Sequence, residues 1–275
     1  MAAAAGEWRA AGRRRRRPWA AEGGGAVLRR LREARDDLLG SGFWAASAGA
    51  MRDPLGRGAE QAAGGAARPS RCVCYGLGRF CSCPAARHQL AFLLLLLEEL
   101  PVPRSQCFVF DPAFSEQELA VLGELGLRLL PDNEEGKHCI HESATLFYMI
   151  HCGKALYNNV LWSNWSIEAL SKMVIIGNSF KGIEERLLSR ILERDYSYIA
   201  KVLKGTEEIA FPTHPQYMDT FNDTSIHWFP LQKLQELSSE VWEFLEEPTY
   251  QECDDLEIIR KEDKVNLCSP TAVES

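Results

Sequence analysis

The chain has 275 residues, 46% hydrophobic, 25% charged and 9% aromatic, the proportions of an ordinary soluble globular protein, which exclude a disordered, collagenous or disulfide-scaffold chain. Its longest apolar run, Leu90 to Leu97, is eight residues, far short of the roughly 20 needed to cross a bilayer, so no membrane span is predicted. The net charge of −7 is uneven: residues 1–70 hold 13 Arg, no Lys and 7 acids, a net of +6, leaving −13 for the rest, and so acidic a body is a poor phosphate-binding surface, which makes nucleic acid an unexpected partner.

Residues 1–70 read as a low-complexity, largely disordered head of Ala, Gly and Arg, too poor in aliphatic residues to offset its ordering entropy. Within it, Val27, Leu28, Leu31, Ala34, Leu38 and Leu39 recur at helical spacing and predict one short amphipathic helix that forms against a partner or the body. The run Arg13 to Arg17 is compatible with a nuclear address or a mitochondrial presequence, and is read as a solubilising tail. Nine cysteines with no secretory signal peptide ahead of them are expected to be reduced thiols. The expected compartment is the cytoplasm, with access to the nucleus.

From residue 71 to 245 short apolar runs alternate with helical patterns, which predicts an α/β domain of Rossmann-like, doubly wound topology: a mostly parallel sheet with helices on both faces. The first strand is Arg71 to Tyr75, its loop Gly76 to Ser82, and the following helix Pro84 to Leu100, apolar on most sides and therefore buried. A second strand, Cys107 to Phe110, runs into Asp111-Pro112; the next helix, Ser115 to Leu125, opens on a capping box of Ser115 and Glu118. Leu127 to Leu130, Thr145 to Ile150 and Met173 to Ile176 are the third, fourth and fifth strands. Ile183 to Leu203 reads as one long helix, Phe211 to Thr224 as a loop, Ser225 to Phe229 as a last strand and Leu231 to Leu245 as a closing helix, before an acidic tail, 246–275.

In such a sheet a ligand binds beyond the carboxyl ends of the strands, so the candidate pocket residues are those that end strands: Gly76, Gly78, Asp111, His151, Cys152, Asn178, Ser179 and Asp223. Gly76 and Gly78 would let backbone N–H groups approach a phosphate or carboxylate, but the third glycine of a dinucleotide fingerprint is Cys81, and Asp111 lies 33 residues past Gly78 rather than about 20. Asp111-Pro112 is equally a turn initiator. Cys152 beside His151, ahead of a helix, has the neighbours of an activated thiol. Cys72, Cys74, Cys81 and Cys83 form C-x-C-x6-C-x-C, which departs from the paired C-x2-C of zinc ribbons; buried small side chains explain the first pair and loop positions the second. His138, Cys139 and His141, with His151 and Cys152, offer donors for a haem or a metal. No cofactor follows from these residues, and no catalytic or metal-binding set is assigned.

Several separate motifs carry a resemblance: CYGLGRF (Cys74 to Phe80) with Gln89-Leu90-Ala91, FVFDPAF (Phe108 to Phe114), TLFYMIHC (Thr145 to Cys152), LYNNVLWSNW (Leu156 to Trp165), VIIGNSF (Val174 to Phe180) and FNDTSIHWF (Phe221 to Phe229). In that order they resemble the sensitivity-to-red-light-reduced (SRR-like) family, in its animal branch, over residues 71–230. The resemblance implies a regulatory role, in circadian clock gene expression and haem biosynthesis, with no enzymatic activity attached. It leaves the protein partners and any small-molecule ligand unnamed. An enzyme using S-adenosylmethionine or a nucleotide, with Gly76 and Gly78 in its cofactor loop, and a haem or metal sensor built on His151 and Cys152 are the alternatives.

Overall fold

The computed structural model describes residues 24–55 and 65–250; the Arg13 to Arg17 run and the acidic tail beyond residue 250 lie outside the described residues. In chain order the helices α1 (Gly24–Leu39) and α2 (Gly42–Leu55) precede β1 (Arg71–Tyr75), α3 (Pro84–Glu99), β2 (Cys107–Phe110), α4 (Glu116–Glu124), β3 (Arg128–Leu129) and β4 (Thr145–Met149). Then come α5 (Lys154–Ser163), α6 (Ile167–Leu170), β5 (Met173–Asn178), α7 (Phe180–Arg186), α8 (Ser189–Asp195) and α9 (Ser197–Val202). The described chain closes with β6 (Glu207–Ala210), α10 (Met218–Phe221), β7 (Thr224–Trp228), α11 (Leu231–Glu236) and α12 (Ser239–Glu243).

The strands form one seven-stranded sheet of order β3-β2-β1-β4-β5-β7-β6. The first five run parallel, and β7 pairs antiparallel with both β5 and β6, so the sheet is mixed but mostly parallel. Alternation along each strand feeds two cores. Cys72, Cys74, Leu146, Tyr148, Val174 and Ile176 face one with α1 to α4, and Val73, Tyr75, Phe147, Met149 and Ile175 face the other with α5 to α9. Leu90 to Leu97 of α3 are buried on every side because α1 covers the face turned away from the sheet. Among the described residues no helix is long and apolar enough to cross a membrane.

In the head, α1 is the amphipathic helix expected over Val27 to Leu39, formed against the body, whereas α2, in a stretch expected to be disordered, is a second helix, and both pack on α3. Val27, Leu31, Ala34 and Leu38 bury one face of α1, and each of the larger three contributes about 2 kcal/mol on burial. On the polar side Arg35 reaches Glu98 of α3 at 2.7 Å. Phe43 and Trp44 of α2 pack against Phe92, with ring centroids 6.0 and 5.1 Å apart.

The expected long helix over Ile183 to Leu203 is three short ones. Leu187 and Leu188 are extended, and the breaks let Ile183, Leu192 and the Tyr198–Ile199–Val202 group each turn towards the same core. The closing helix is likewise two pieces, broken at Leu237 and Ser238. The edge strand β6 was not expected, because Glu-Glu-Ile-Ala lacks apolar alternation; charges on an edge strand discourage pairing with another chain. The fifth strand extends beyond Ile176 through Asn178, so Gly177 and Asn178 pair with Ser225 and Thr224 instead of entering a loop.

Candidate functional site

The exit of β1 is built on two glycines in the left-handed region, Gly76 at φ +74° and Gly78 at φ +67°, where a side chain is strained. A Cβ on Gly76 would lie 2.6 Å from Cys152 Sγ, so the glycine is what lets the β1 and β4 exits run side by side. Gly78 N–H donates to Asp111 Oδ2 at 2.7 Å, and Ala113 N–H donates to Asp111 Oδ1 at 2.7 Å. Asp111 therefore closes its own turn and ties it to the glycine loop. Further along, Cys81 N–H donates to Glu118 Oε1 at 3.1 Å, while Glu118 Oε2 completes the capping box of α4 with Ser115. Two of the loop's amides, those of Gly78 and Cys81, which could have cradled a phosphate, face the protein's own carboxylates.

The exit of β4 carries His151 at φ +57°, a conformation that costs a non-glycine residue about 1–2 kcal/mol. Asn178 holds it there, accepting from His151 N–H at 2.9 Å and donating to the Cys152 carbonyl at 3.1 Å. His151 Nε2 stands 3.0 Å from the Thr220 carbonyl; a carbonyl only accepts, so that nitrogen carries the proton. Cys152 is 5% exposed, and its thiol donates to the Tyr75 carbonyl at 3.5 Å. This is a packed thiol turned towards β1.

Between these exits lies a cavity of about 240 Å³. Tyr75, Phe110, Pro112 and Leu156 make its apolar walls, and Asp111, Asn133, Glu135 and His151 its polar ones, with Gly76, Cys152 and Gly153 between them. It sits where the order β2-β1-β4 changes direction, since β1 leads outward to β2 and β4 leads to β5 on the other side. Behind the wall, Tyr75 Oη donates to Glu134 at 3.0 Å, and His138 Nδ1 lies 2.8 Å from the same carboxylate oxygen. Burial and then the Glu134 charge push the Tyr75 phenol far up, while burial of Glu134 is outweighed by His138 and Tyr75, which hold it below the usual carboxylate range.

Of the eight expected residues, Gly76, Asp111, His151 and Cys152 line this cavity, and Gly78 and Asn178 brace it. Ser179 and Asp223 do not join them. They line a second cavity of about 350 Å³, walled by Phe43, Phe211, Tyr217 and Phe221. Asp223, at φ +55°, is held by both nitrogens of the Arg186 fork at 3.2 and 2.6 Å. Ser179 caps α7, accepting from Gly182 N–H at 2.9 Å, and donates to Glu208 Oε1 at 2.5 Å. Cys72 and Cys74 are buried, Cys81 is half-buried and Cys83 is exposed. No group of three or more His, Cys, Asp or Glu among the described residues could hold a metal.

Sequence reasoning missed His227 and Glu208. His227 is fully buried in β7; its Nδ1 faces the Ile175 carbonyl at 3.1 Å, leaving Nε2 to accept from Phe180 N–H at 3.3 Å or, when the ring is charged, to donate to Glu208 at 3.5 Å. Burial works to raise the Glu208 pKa, but His227, the Ser179 hydroxyl and Lys181 N–H outweigh it and lower it from 4.5 to about 2. A carboxylate held below its unfolded value stabilises fully above that value and loses the contribution as pH falls towards the folded one. Urea midpoints measured at about pH 6 and about pH 3 should therefore fall further for the wild type than for Glu208→Gln. Equal falls would show that Glu208 is not held low.

A family model described as the SRR1 domain matches residues 50–228, from within α2 to the end of β7. The SRR1-like protein of Mus musculus is 50% identical over 250 residues, 77% of this chain and 99% of that one. The SRR1-like protein of Drosophila melanogaster is 31% identical over 166 residues, 60% of this chain and 56% of the relative. Protein SENSITIVITY TO RED LIGHT REDUCED 1 of Arabidopsis thaliana is 34% identical over 160 residues, 57% of this chain and 58% of the relative.

Proposed function

We propose, from the premise that this chain belongs to the SRR1 domain family, that it is a regulatory protein working through the cavity at the carboxyl ends of β1, β2 and β4. The observation that carries the reading is the strained His151, held in the left-handed region by Asn178 and Thr220 at the rim of a cavity with apolar walls. Strain maintained by several partners at a cleft is the mark of a site selected for something other than stability. The parallel order β3-β2-β1-β4-β5 supports reading the sheet as Rossmann-like, with the cavity at the point where ligands bind in such sheets. The regulated processes are those that the family resemblance implies, haem biosynthesis and circadian clock gene expression; the Arabidopsis relative's name speaks of sensitivity to red light. The protein acts in the cytoplasm, with access to the nucleus.

Two features favour a binding site over the nucleotide-dependent transferase. The glycine-loop amides at Gly78 and Cys81 are engaged by Asp111 and Glu118, so a cofactor phosphate would have to displace two carboxylates. The Cys152 thiol is buried against Tyr75, away from the exposure a nucleophile needs. The test fills the cavity with Leu156→Trp and returns the full chain to cells lacking it. Wild type should restore the clock-gene rhythm and haem-synthesis transcripts, and a folded Leu156→Trp should restore neither; full restoration by the variant would sink the proposal.

A further inference from the structure

We infer that the second cavity, walled by Phe43, Phe211, Tyr217 and Phe221, is a separate binding site for a small uncharged aromatic molecule, and that its occupant acts on His151. Its volume of about 350 Å³ is that of a small-molecule site. The wall rings brace one another: Phe43 lies 5.0 Å from Phe221 and 5.3 Å from Tyr217, and Tyr217 lies 5.2 Å from His214. A flat ligand therefore meets fixed ring faces and edges. Met218, 52% exposed on the same wall, adds a thioether that adapts to the ligand's outline.

Charge decides the class of ligand. No Lys, Arg or Glu lines the cavity, and its one acid, Asp223, is neutralised by the Arg186 fork. Tyr217 donates its hydroxyl to Asp37 of α1 at 2.8 Å, and the Ser179 hydroxyl is taken by Glu208 and Gly182 N–H. An ionic ligand of either sign would leave water without a counter-ion to meet it. Polar recognition falls to His214 and Asn222. His214 Nδ1 accepts from Gln216 N–H at 3.3 Å, so Nε2 carries the proton and is a donor. The Asn222 side chain has no hydrogen-bond partner among the described residues. Both suit a carbonyl-type acceptor carried on an aromatic body.

The link to His151 runs through α10. Met218 and Phe221 of that four-residue helix line the cavity, and Thr220 between them accepts on its carbonyl from His151 Nε2 at 3.0 Å and Gln89 Nε2 at 3.3 Å. Asn178, which fixes the His151 backbone, is followed directly by Ser179 of the cavity wall. Both supports of His151 thus stand one residue from this cavity, and a ligand that shifts Phe221 acts on the Thr220 carbonyl. The significance of that link rests on the β1–β2–β4 cavity being the working site; the binding does not.

Three probes of one shape test this: neutral naphthalene-2-carboxamide, 2-naphthoate and 2-naphthamidinium, titrated into the full chain at about 0.15 M salt, where surface charge is screened. The imidazole NMR signals of the chain's six histidines report the place of binding. The carboxamide should bind about tenfold more tightly than either ion, moving His214 and His151 and leaving His141, beside the amino end of β4, unmoved. Met218→Glu, a charge at a half-exposed position, should weaken it about fivefold, and His214→Phe, which keeps a ring and removes the donor, about threefold. Either ion binding as tightly as the carboxamide would overturn the selection for an uncharged ligand. Carboxamide binding that leaves His214 unmoved and ignores Met218→Glu lies elsewhere and would overturn the site. A moved His214 with an unmoved His151 would overturn the link. No binding to the folded wild type would overturn the whole inference and leave the β1–β2–β4 reading standing, since Leu156→Trp tests that reading separately.

Discussion

Gly177→Ala is expected to destabilise the protein by about 3 kcal/mol or more, enough to unfold much of it at growth temperature. Gly177 lies in the middle of the sheet, paired with Met149 on one side and Ser225 on the other. A Cβ there would stand 2.9 Å from the Met149 carbonyl and 2.8 Å from Tyr157 Cε1, and would collide with the Tyr157 hydroxyl. None of these can give way cheaply. The carbonyl belongs to a neighbouring strand, and the Tyr157 ring is fully buried, its hydroxyl donating to Met149 O and accepting from Asn178 N–H at 2.8 Å. Tyr157→Phe alone should cost about 1–3 kcal/mol, since it leaves Asn178 N–H without that partner. In the Gly177→Ala background the same change removes one of the colliding atoms, so the double variant should lose clearly less than the sum of the two. Urea denaturation of the four chains measures this; a Gly177→Ala chain within about 1 kcal/mol of wild type, or simple additivity, would refute the account.

The same position shows what the sequence could and could not say. Of the five parallel strands, β1, β4 and β5 were legible because a strand buried on both faces is written as an unbroken apolar run between turn residues, as in Met173 to Ile176. Gly177 and Asn178 resemble turn residues for that reason, yet they continue the strand: the glycine makes room for Tyr157, and Asn178 reaches across to fix His151. Their partner β7 was legible as a strand but not as antiparallel to β5. That direction brings Asp223, before the start of β7, to the same edge as the end of β5, two strands away from β1. Asp223 and Ser179 thus reach the expected edge of the sheet but a different cavity. The head misled through composition: Ala, Gly and Arg outnumber Phe43, Trp44 and Met51, the large side chains that seat α2 on α3. Glu208 gave no signal, because a glutamate in an edge strand looks solvated until His227 from the next strand is placed beside it.

Asn158→Ala is expected to be the second costly substitution, at about 3 kcal/mol, although the change is small and lies within a helix. Asn158 is fully buried in α5. Its Oδ1 accepts from Tyr198 N–H at 3.0 Å and Ile199 N–H at 3.2 Å, the first-turn amides of α9, whose own N-cap residue Tyr196 supplies no side-chain bond. Its Nδ2 donates to the Tyr250 hydroxyl at 3.1 Å, and that hydroxyl also meets Ala155 O and Asn159 Oδ1. One side chain therefore caps α9 from another helix and anchors the chain at Tyr250. Alanine would leave two buried N–H groups without an acceptor, each costing about 1–3 kcal/mol, and would open a void that the rigid α5 backbone cannot close. Tyr250→Phe removes only the hydroxyl and should cost about 1–2 kcal/mol, so the two variants separate the cap from the anchor. Amide exchange gives the sharper reading: Tyr198 and Ile199 should lose protection in Asn158→Ala and keep it in Tyr250→Phe. Equal protection in both would mean that α9 is held by its packing alone. The loosening should also reach the cavity, because Leu156 and Asn159 lie on the same helix, the first as a cavity wall and the second donating to the Glu135 carbonyl at 2.8 Å.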